Sequence, residues 1–152
     1  MPAEQSHSPF DRPDLVFTSR FRVRYAETDP MGFVHNSNYL AYMEMGRIEA
    51  LRHNGVSYRD LEERGFLIVV ARASLDFKAP ARMDDELRME VTLARATRVR
   101  LDHAYRLYVD SSETLCLIAE TTLACVDREG RIQAMPAEVL DTIDPSVPGL
   151  RR

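Results

Sequence analysis

Between residues 66 and 126 the chain carries four successive strand-like segments with no helical pattern between them. They cover residues 66–77, 86–95, 99–109 and 114–126, and the second and third alternate apolar with polar side chains. A parallel pair of strands needs a crossover of about a dozen residues or more, usually a helix. Strands joined by short turns therefore predict an antiparallel sheet.

One more strand and a long helix precede these four segments. Residues 17–25 alternate in the same way, and the pattern turns Tyr25 toward the interior. Residues 38–53 have helical spacing, and the small side chain of Gly46 would let this helix lie close against a sheet. Asn36, Ser37 and Asn38 are all suitable caps for its start. The order of elements predicts an α+β fold with five antiparallel strands and one long helix on one face.

The length of 152 residues favours a single domain. Residues 1–13 contain three prolines and two serines without periodicity, and we interpret them as a mobile N-terminal arm. The domain proper is assigned to residues 14–143, and residues 144–152 form a C-terminal tail rich in turn residues.

Composition and charge exclude several classes of protein. The net charge of −4 argues against general nucleic-acid binding. The longest apolar run is far shorter than the ~20 residues of a membrane helix, and no export signal is visible. Two cysteines and four histidines without a Cys-x-x-Cys pair predict no disulfide framework and no metal site, and nothing indicates an organic cofactor. A reducing, cytoplasmic location is the expectation.

A polar turn between the first strand and the helix has residues suited to chemistry. Asp29 precedes a proline there, and the helix begins seven to nine residues later. A helix start carries about four unpaired N–H groups and roughly half a positive charge. If the loop folds back, a carbonyl oxygen can rest on those N–H groups while the carboxylate approaches the carbonyl carbon, which is sufficient to hydrolyse an activated ester such as a thioester. An aspartate before a proline is also a common turn residue, so the spacing alone leaves its role open.

The whole run over residues 25–39, YAETDPMGFVHNSNY, resembles the signature of the 4-hydroxybenzoyl-CoA thioesterase family. The matching features are the aspartate, the glycine three residues later and the tyrosine that opens the helix. The similarity extends over about residues 17–136 and includes Ala79-Pro80 with Asp85 before the third strand. It implies the hotdog fold, in which a curved five-stranded antiparallel sheet wraps a long central helix.

The resemblance also implies roles for residues of the loop. Asp29 corresponds to the catalytic carboxylate, acting as a nucleophile or as a general base, and the backbone N–H of Asn36 corresponds to the group that polarises the thioester carbonyl. The expected substrate-binding residues are Gly32, Val34, His35 and Tyr39. His35 has an alternative role as a hydrogen-bonding residue beside the helix, and Tyr39 has one as a core residue.

The activity implied is that of an acyl-CoA thioesterase, which hydrolyses an acyl or aroyl thioester to the free acid and CoA. An acyl carrier protein is an alternative carrier of the thioester, and the expected assembly is a homodimer or homotetramer whose pocket draws on two subunits. Two other functions stay open: a non-enzymatic acyl-thioester-binding protein and an acyl-thioester hydratase or dehydratase. A binder would not need a carboxylate beside the carbonyl, and the Phe-Pro-Gly-rich setting of hotdog dehydratases is missing.

Two further groups of polar residues have structural interpretations. Glu44 and Arg47, three residues apart on the helix, are expected to form an ion pair on its surface. His103 falls on an apolar strand face, where a core histidine with its hydrogen bonds satisfied is expected.

Overall fold

A computed structural model describes residues 7–150 of the chain. Its strands are β1 (Phe17–Arg22), β2 (Leu67–Phe77), β3 (Glu86–Ala96), β4 (Arg100–Val109) and β5 (Thr114–Val126), and its helices are α1 (Asn38–His53), α2 (Tyr58–Glu63) and α3 (Ala137–Leu140). The strands form one sheet in the order β1-β3-β4-β5-β2, and every neighbouring pair is antiparallel. The predicted α+β architecture is confirmed.

Helix α1 crosses the face of the sheet because it connects β1 and β2, which lie at opposite edges. Its buried residues are Tyr39, Tyr42, Met43 and Gly46, and the first three belong to the main core cluster. A Cβ atom on Gly46 would lie 3.0 Å from Cγ of Met89 on β3, so a larger side chain here would require Met89 to shift. The predicted close approach of helix and sheet at Gly46 is confirmed.

The first strand ends earlier than the alternating pattern predicts. Regular pairing stops at Arg22, and residues 25–27 form a short 3-10 turn instead. The predicted inward position of Tyr25 is wrong, since its side chain is 80% exposed. The physical reason is a local hydrogen bond: the Glu27 carboxylate accepts from the backbone N–H of Arg24 at 2.8 Å, which closes the turn.

The start of α1 also differs from the expectation of a side-chain cap. Ser37 occupies the N-cap position, but its side chain makes no capping hydrogen bond. The Asn38 side-chain amide instead donates to the backbone carbonyl of Glu27 at 2.8 Å. The helix start is therefore tied to the preceding loop and keeps backbone N–H groups that no side chain caps.

Strand β2 is an exposed edge. Val70 is 47% exposed and Phe77 is 53% exposed, although both belong to a strand of eleven residues. Within residues 7–150, only β5 pairs with β2, so its other edge has free backbone groups. A long apolar edge of this kind is normally covered by another chain.

Segments at both ends pack against the domain. Residues 1–6 of the predicted arm lie outside the described residues. Just after them, the guanidinium of Arg106 lies 4.0 Å from the ring centroid of Phe10. Toward the other end, Val147 is buried in a second core cluster. The boundaries at residues 13 and 143 stay predictions.

Candidate active site

Residues 27–35 fold into a small hairpin that carries the predicted catalytic aspartate. The backbone N–H of Asp29 donates to the carbonyl of Phe33, and that of His35 donates to the carbonyl of Glu27, each at 2.9 Å. These bonds join the turn that contains Asp29 to the segment that leads into α1. The joined residues, 27–35, form a single platform. The structure therefore holds Asp29, Gly32, Val34, His35 and Asn36 close together.

Glu27 holds this platform in place, and the sequence analysis missed it. The residue is 7% exposed, and its carboxylate accepts hydrogen bonds from the Tyr42 hydroxyl at 2.7 Å and from the N–H and Nε of Arg24. Burial by itself would raise the pKa of Glu27, but these hydrogen bonds and the Arg24 charge together lower it. Glu27 lies in a polar stretch that resembles a solvent-facing loop, so the sequence carries no clear signal of its burial.

Asp29 is a turn residue, but only one of its carboxylate oxygens serves the turn. Oδ1 accepts from the backbone N–H of Met31, and the carbonyl of Asp29 accepts from the N–H of Gly32, each at 2.9 Å. Within residues 7–150, Oδ2 makes no hydrogen bond. Asp29 can therefore hold the turn through Oδ1 and still use Oδ2 in a reaction.

A second turn in the chain shows what is particular to Asp29. Residues 127–130 repeat the Asp-x-x-Gly geometry: Asp127 Oδ1 accepts from the N–H of Glu129, and the N–H of Gly130 donates to the Asp127 carbonyl, each at 3.0 Å. There, however, Oδ2 pairs with Nε of Arg131 at 2.9 Å. The two turns have the same backbone hydrogen bonds, but of the two only the turn at Asp29 leaves a carboxylate oxygen without a hydrogen-bond partner among residues 7–150.

Asn36 supplies a matching free donor. Its backbone N–H makes no hydrogen bond with any residue in the range 7–150, whereas the N–H groups of Ser37 and Asn38 are bound to Nδ1 and the carbonyl of His35. The same Nδ1 lies 2.8 Å from the Ser37 hydroxyl. In this structure His35 fastens the helix start, and its predicted contact with substrate stays a prediction.

Val34 and Tyr39 are both buried in the core cluster beneath the loop. The ring of Tyr39 packs edge-on against Phe77, with the ring centroids 5.1 Å apart. Beside them, Met31 and Phe77 present exposed apolar surface around the hairpin. The substrate-binding roles of Val34 and Tyr39 stay predictions, since their side chains already fill the core.

Gly32 has a backbone conformation that disfavours any other residue. Its φ is +79°, and a Cβ would meet no atom within 4 Å, so the cost of Gly32→Ala is conformational. We expect Gly32→Ala to lower the free energy of unfolding by about 1 kcal/mol. It should also lower turnover of the expected thioester substrate, because the turn that orients Asp29 is distorted.

Gly130→Ala is a matched control, since Gly130 has the same φ of +79° and the same open surroundings. It should cost similar stability in urea unfolding and leave turnover unchanged. Equal losses of turnover in the two variants would contradict a specific role for the Gly32 turn.

Within the described range 7–150, no helix is long and apolar enough to cross a membrane. That same part of the chain brings together no group of three or more His, Cys, Asp or Glu side chains able to hold a metal ion.

The chain is similar in sequence and in structure to known thioesterases. The chain is 37% identical over 114 residues to the acyl-CoA thioester hydrolase YbgC of Escherichia coli, covering 74% of this chain and 83% of that protein. It is 33% identical over 130 residues to the acyl-CoA thioesterase YbgC of Haemophilus influenzae, covering 83% and 93%. The crystal structure of a 1,4-dihydroxy-2-naphthoyl-CoA thioesterase from Synechocystis superimposes with a TM-score of 0.78 at 25% identity, covering 84% and 94%.

The sheet order and central helix described above are thus those of the hotdog thioesterases. The family model of the thioesterase-like superfamily matches residues 23–143, which include the hairpin, α1 and the four strands that follow. This chain belongs to the thioesterase-like superfamily of hotdog-fold proteins.

Proposed function

We propose that this protein hydrolyses an acyl or aroyl thioester of CoA, with Asp29 as the catalytic carboxylate and the Asn36 N–H as the oxyanion donor. The observation that carries the proposal is the presence of two free groups, one on the hairpin and one on the residue that follows it: Oδ2 of Asp29 and the N–H of Asn36 have no hydrogen-bond partner within residues 7–150. Membership of the thioesterase-like superfamily supports the choice of a thioester as substrate.

Two routes lead from this geometry to the same products. In the first, Asp29 attacks the carbonyl carbon, the thiolate of CoA leaves, and water hydrolyses the resulting mixed anhydride. In the second, Asp29 takes a proton from water as the water attacks, and that proton then passes to the departing thiolate. In both, the carbonyl oxygen gains negative charge beside the Asn36 N–H, where the helix start stabilises it. Each route consumes one water and releases the acid and free CoA.

The experiment follows release of free thiol from short, medium, long and aromatic acyl-CoAs. Turnover of any of them supports hydrolysis, and the relative rates give the acyl class. If no acyl-CoA turns over while one still binds, the hydrolysis of CoA thioesters is wrong, and a carrier-protein thioester or a binding function takes its place. Formation or loss of a double bond without thiol release would instead support a hydratase or dehydratase.

The same proposal includes a homodimer formed through β2. Within residues 7–150, the free edge of this strand, with the exposed Val70 and Phe77, is an uncovered apolar surface, and Leu40 and Met45 on α1 are exposed as well. Pairing β2 with its copy would continue the sheet across two subunits and cover this surface. Phe77 on β2 contacts Tyr39 beside the hairpin, so a partner seated here would also close the site.

A lysine at this edge should separate the subunits. We expect Val70→Lys to convert a dimer to a monomer in analytical ultracentrifugation, because a charged side chain opposes edge pairing. Ile132→Lys is the control, since Ile132 is 67% exposed and lies outside β2, and it should remain a dimer. A wild-type monomer, or a Val70→Lys dimer, would show that β2 is not the interface.

The free thiols of the two cysteines support a location in the reducing cytoplasm. Cys116 and Cys125 are both free and buried, in separate core clusters. Burial raises the pKa of both thiols, which keeps them protonated and unreactive.

A further inference from the structure

A second feature, a cavity of about 640 Å³, lies at the opposite end of α1 from the hairpin. Its walls are the second half of α1, strands β3 and β4, the segment 14–17 before and at the start of β1, and residues 139–147 near the C-terminus. No residue of the Asp29 hairpin lines it. Its volume is in the range of sites that bind small organic molecules, which is roughly 300–1,000 Å³.

Arg47 lines this cavity, and the expected ion pair with Glu44 is present but long. Its side chain is 11% exposed, yet its hydrogen bonding within residues 7–150 is a single 3.3 Å bond to the hydroxyl of Tyr105. The expected ion pair with Glu44 has an N···O distance of 3.8 Å, which is too long for a hydrogen bond, and the Glu44 carboxylate faces solvent. A guanidinium has five N–H donors, and burying it without an anion is costly.

His103 lies in the same wall, and one of its ring nitrogens has no hydrogen-bond partner among the described residues. Its Nδ1 is buried and has no hydrogen-bond partner among the described residues, so the expected satisfied core histidine is wrong for this atom. Burial lowers the pKa of His103 to about 3, and the nearby charge of Arg47 acts in the same direction. The ring is therefore neutral near pH 7 and can offer an N–H to a ligand without adding charge.

The other residues that line the cavity limit the polarity and the charge of the ligand. The lining is mixed, with polar residues beside a set of aliphatic ones: Leu15, Leu51, Leu93, Leu101, Val139 and Ile143. Asp14, Asp141 and Asp144 also line the cavity, and their charges oppose a multiply charged anion. A ligand with an apolar body and a single negative charge matches both the aliphatic walls and the guanidinium.

We infer that this cavity binds an apolar monocarboxylate, whose carboxylate pairs with the Arg47 guanidinium beside the ring of His103. The carboxylate supplies a close anion, which the long 3.8 Å pair with Glu44 does not provide. Its apolar body occupies the space between α1 and the C-terminal segment.

The site is separate from the hairpin. Arg47 lies nine residues after the start of α1, which at 1.5 Å per residue is about 13 Å along the helix axis. Buried Tyr42 and Met43 fill the core between the two places. The inference therefore does not require that the protein hydrolyse a thioester.

Isothermal titration of the full chain with octanoate tests the inference. We expect one octanoate per chain, and a dissociation constant roughly 10- to 100-fold weaker for Arg47→Met, since hydrogen bonds to a charged group are lost. Octan-1-ol, which has the same body without the charge, should show no such difference between the two proteins. Asp29→Asn should bind octanoate as the wild type does, whether or not it has lost turnover.

A second readout uses the unmodified protein. On addition of octanoate, the ¹⁵N resonances of the His103 ring should shift, while those of His35 at the hairpin should not. Unchanged affinity in Arg47→Met, altered affinity in Asp29→Asn, shifts at His35 in place of His103, or no binding of octanoate would each overturn the inference. If Arg47→Met fails to fold, the histidine shifts in the wild type decide the question.

Discussion

Replacing Asp29 by Asn should lower turnover of an acyl-CoA by at least ~10²-fold, a typical effect of removing an acid–base group. The substitution keeps the turn intact, because the amide oxygen of Asn can accept the Met31 N–H that Oδ1 accepts now. It removes the negative charge and basicity of the free second oxygen, which either catalytic route requires. Thiol release at saturating substrate measures the effect, and thermal unfolding confirms that the variant is folded.

Asp127→Asn is the matched control for this experiment. Asp127 forms an Asp-x-x-Gly turn with the same backbone hydrogen bond, but its second oxygen pairs with Arg131. The turnover number of this variant should be that of the wild type, although its stability falls slightly because a surface ion pair is weakened. Unchanged turnover in Asp29→Asn would refute the proposed mechanism.

Truncation of Glu27 should give the largest loss of stability among the loop residues. We expect Glu27→Ala to lower the free energy of unfolding by roughly 2–4 kcal/mol, because a buried, hydrogen-bonded carboxylate is lost. The Tyr42 hydroxyl and the Arg24 N–H would lose their partner, and the platform beneath Asp29 would loosen. Urea unfolding at pH 7 measures the change, with the exposed Glu63→Ala as the control, expected within about 0.5 kcal/mol of the wild type.

The Glu27 contribution should also depend on pH in a defined direction. Its pKa in the folded protein lies below the ordinary value of 4.5, so the unfolded chain takes up the proton first as pH falls. The stabilisation is therefore complete above about pH 4.5 and decreases as the pH drops toward the folded pKa. The stability difference between wild type and Glu27→Gln should shrink over that acidic range. A difference that stayed constant or grew would contradict this assignment.

Much of the fold follows from local sequence patterns. The boundaries of α1 and β5 match the predicted ranges 38–53 and 114–126, since side-chain periodicity and flanking turn residues act over a few residues. The early end of β1 did not follow from periodicity, because the hydrogen bond from Arg24 to the Glu27 carboxylate competes with strand pairing there. The unpaired Nδ1 of His103 was equally hidden, since alternation places a residue on a face without indicating its partners.

The sequence by itself determined the order of elements, the antiparallel sheet and the loop that carries Asp29, because each depends on neighbours along the chain. Only the tertiary structure decided which oxygen of Asp29 is free, that Glu27 is buried beneath it, and that Arg47 and His103 meet at a cavity. The burial of Glu27 and the position of Arg47 depend on contacts between residues distant in sequence, such as Arg47 on α1 and Tyr105 on β4, whereas the two oxygens of Asp29 are distinguished by a local bond from Met31. Burial and hydrogen bonding are set by the packed neighbours of a residue in space, and a one-dimensional pattern does not specify them.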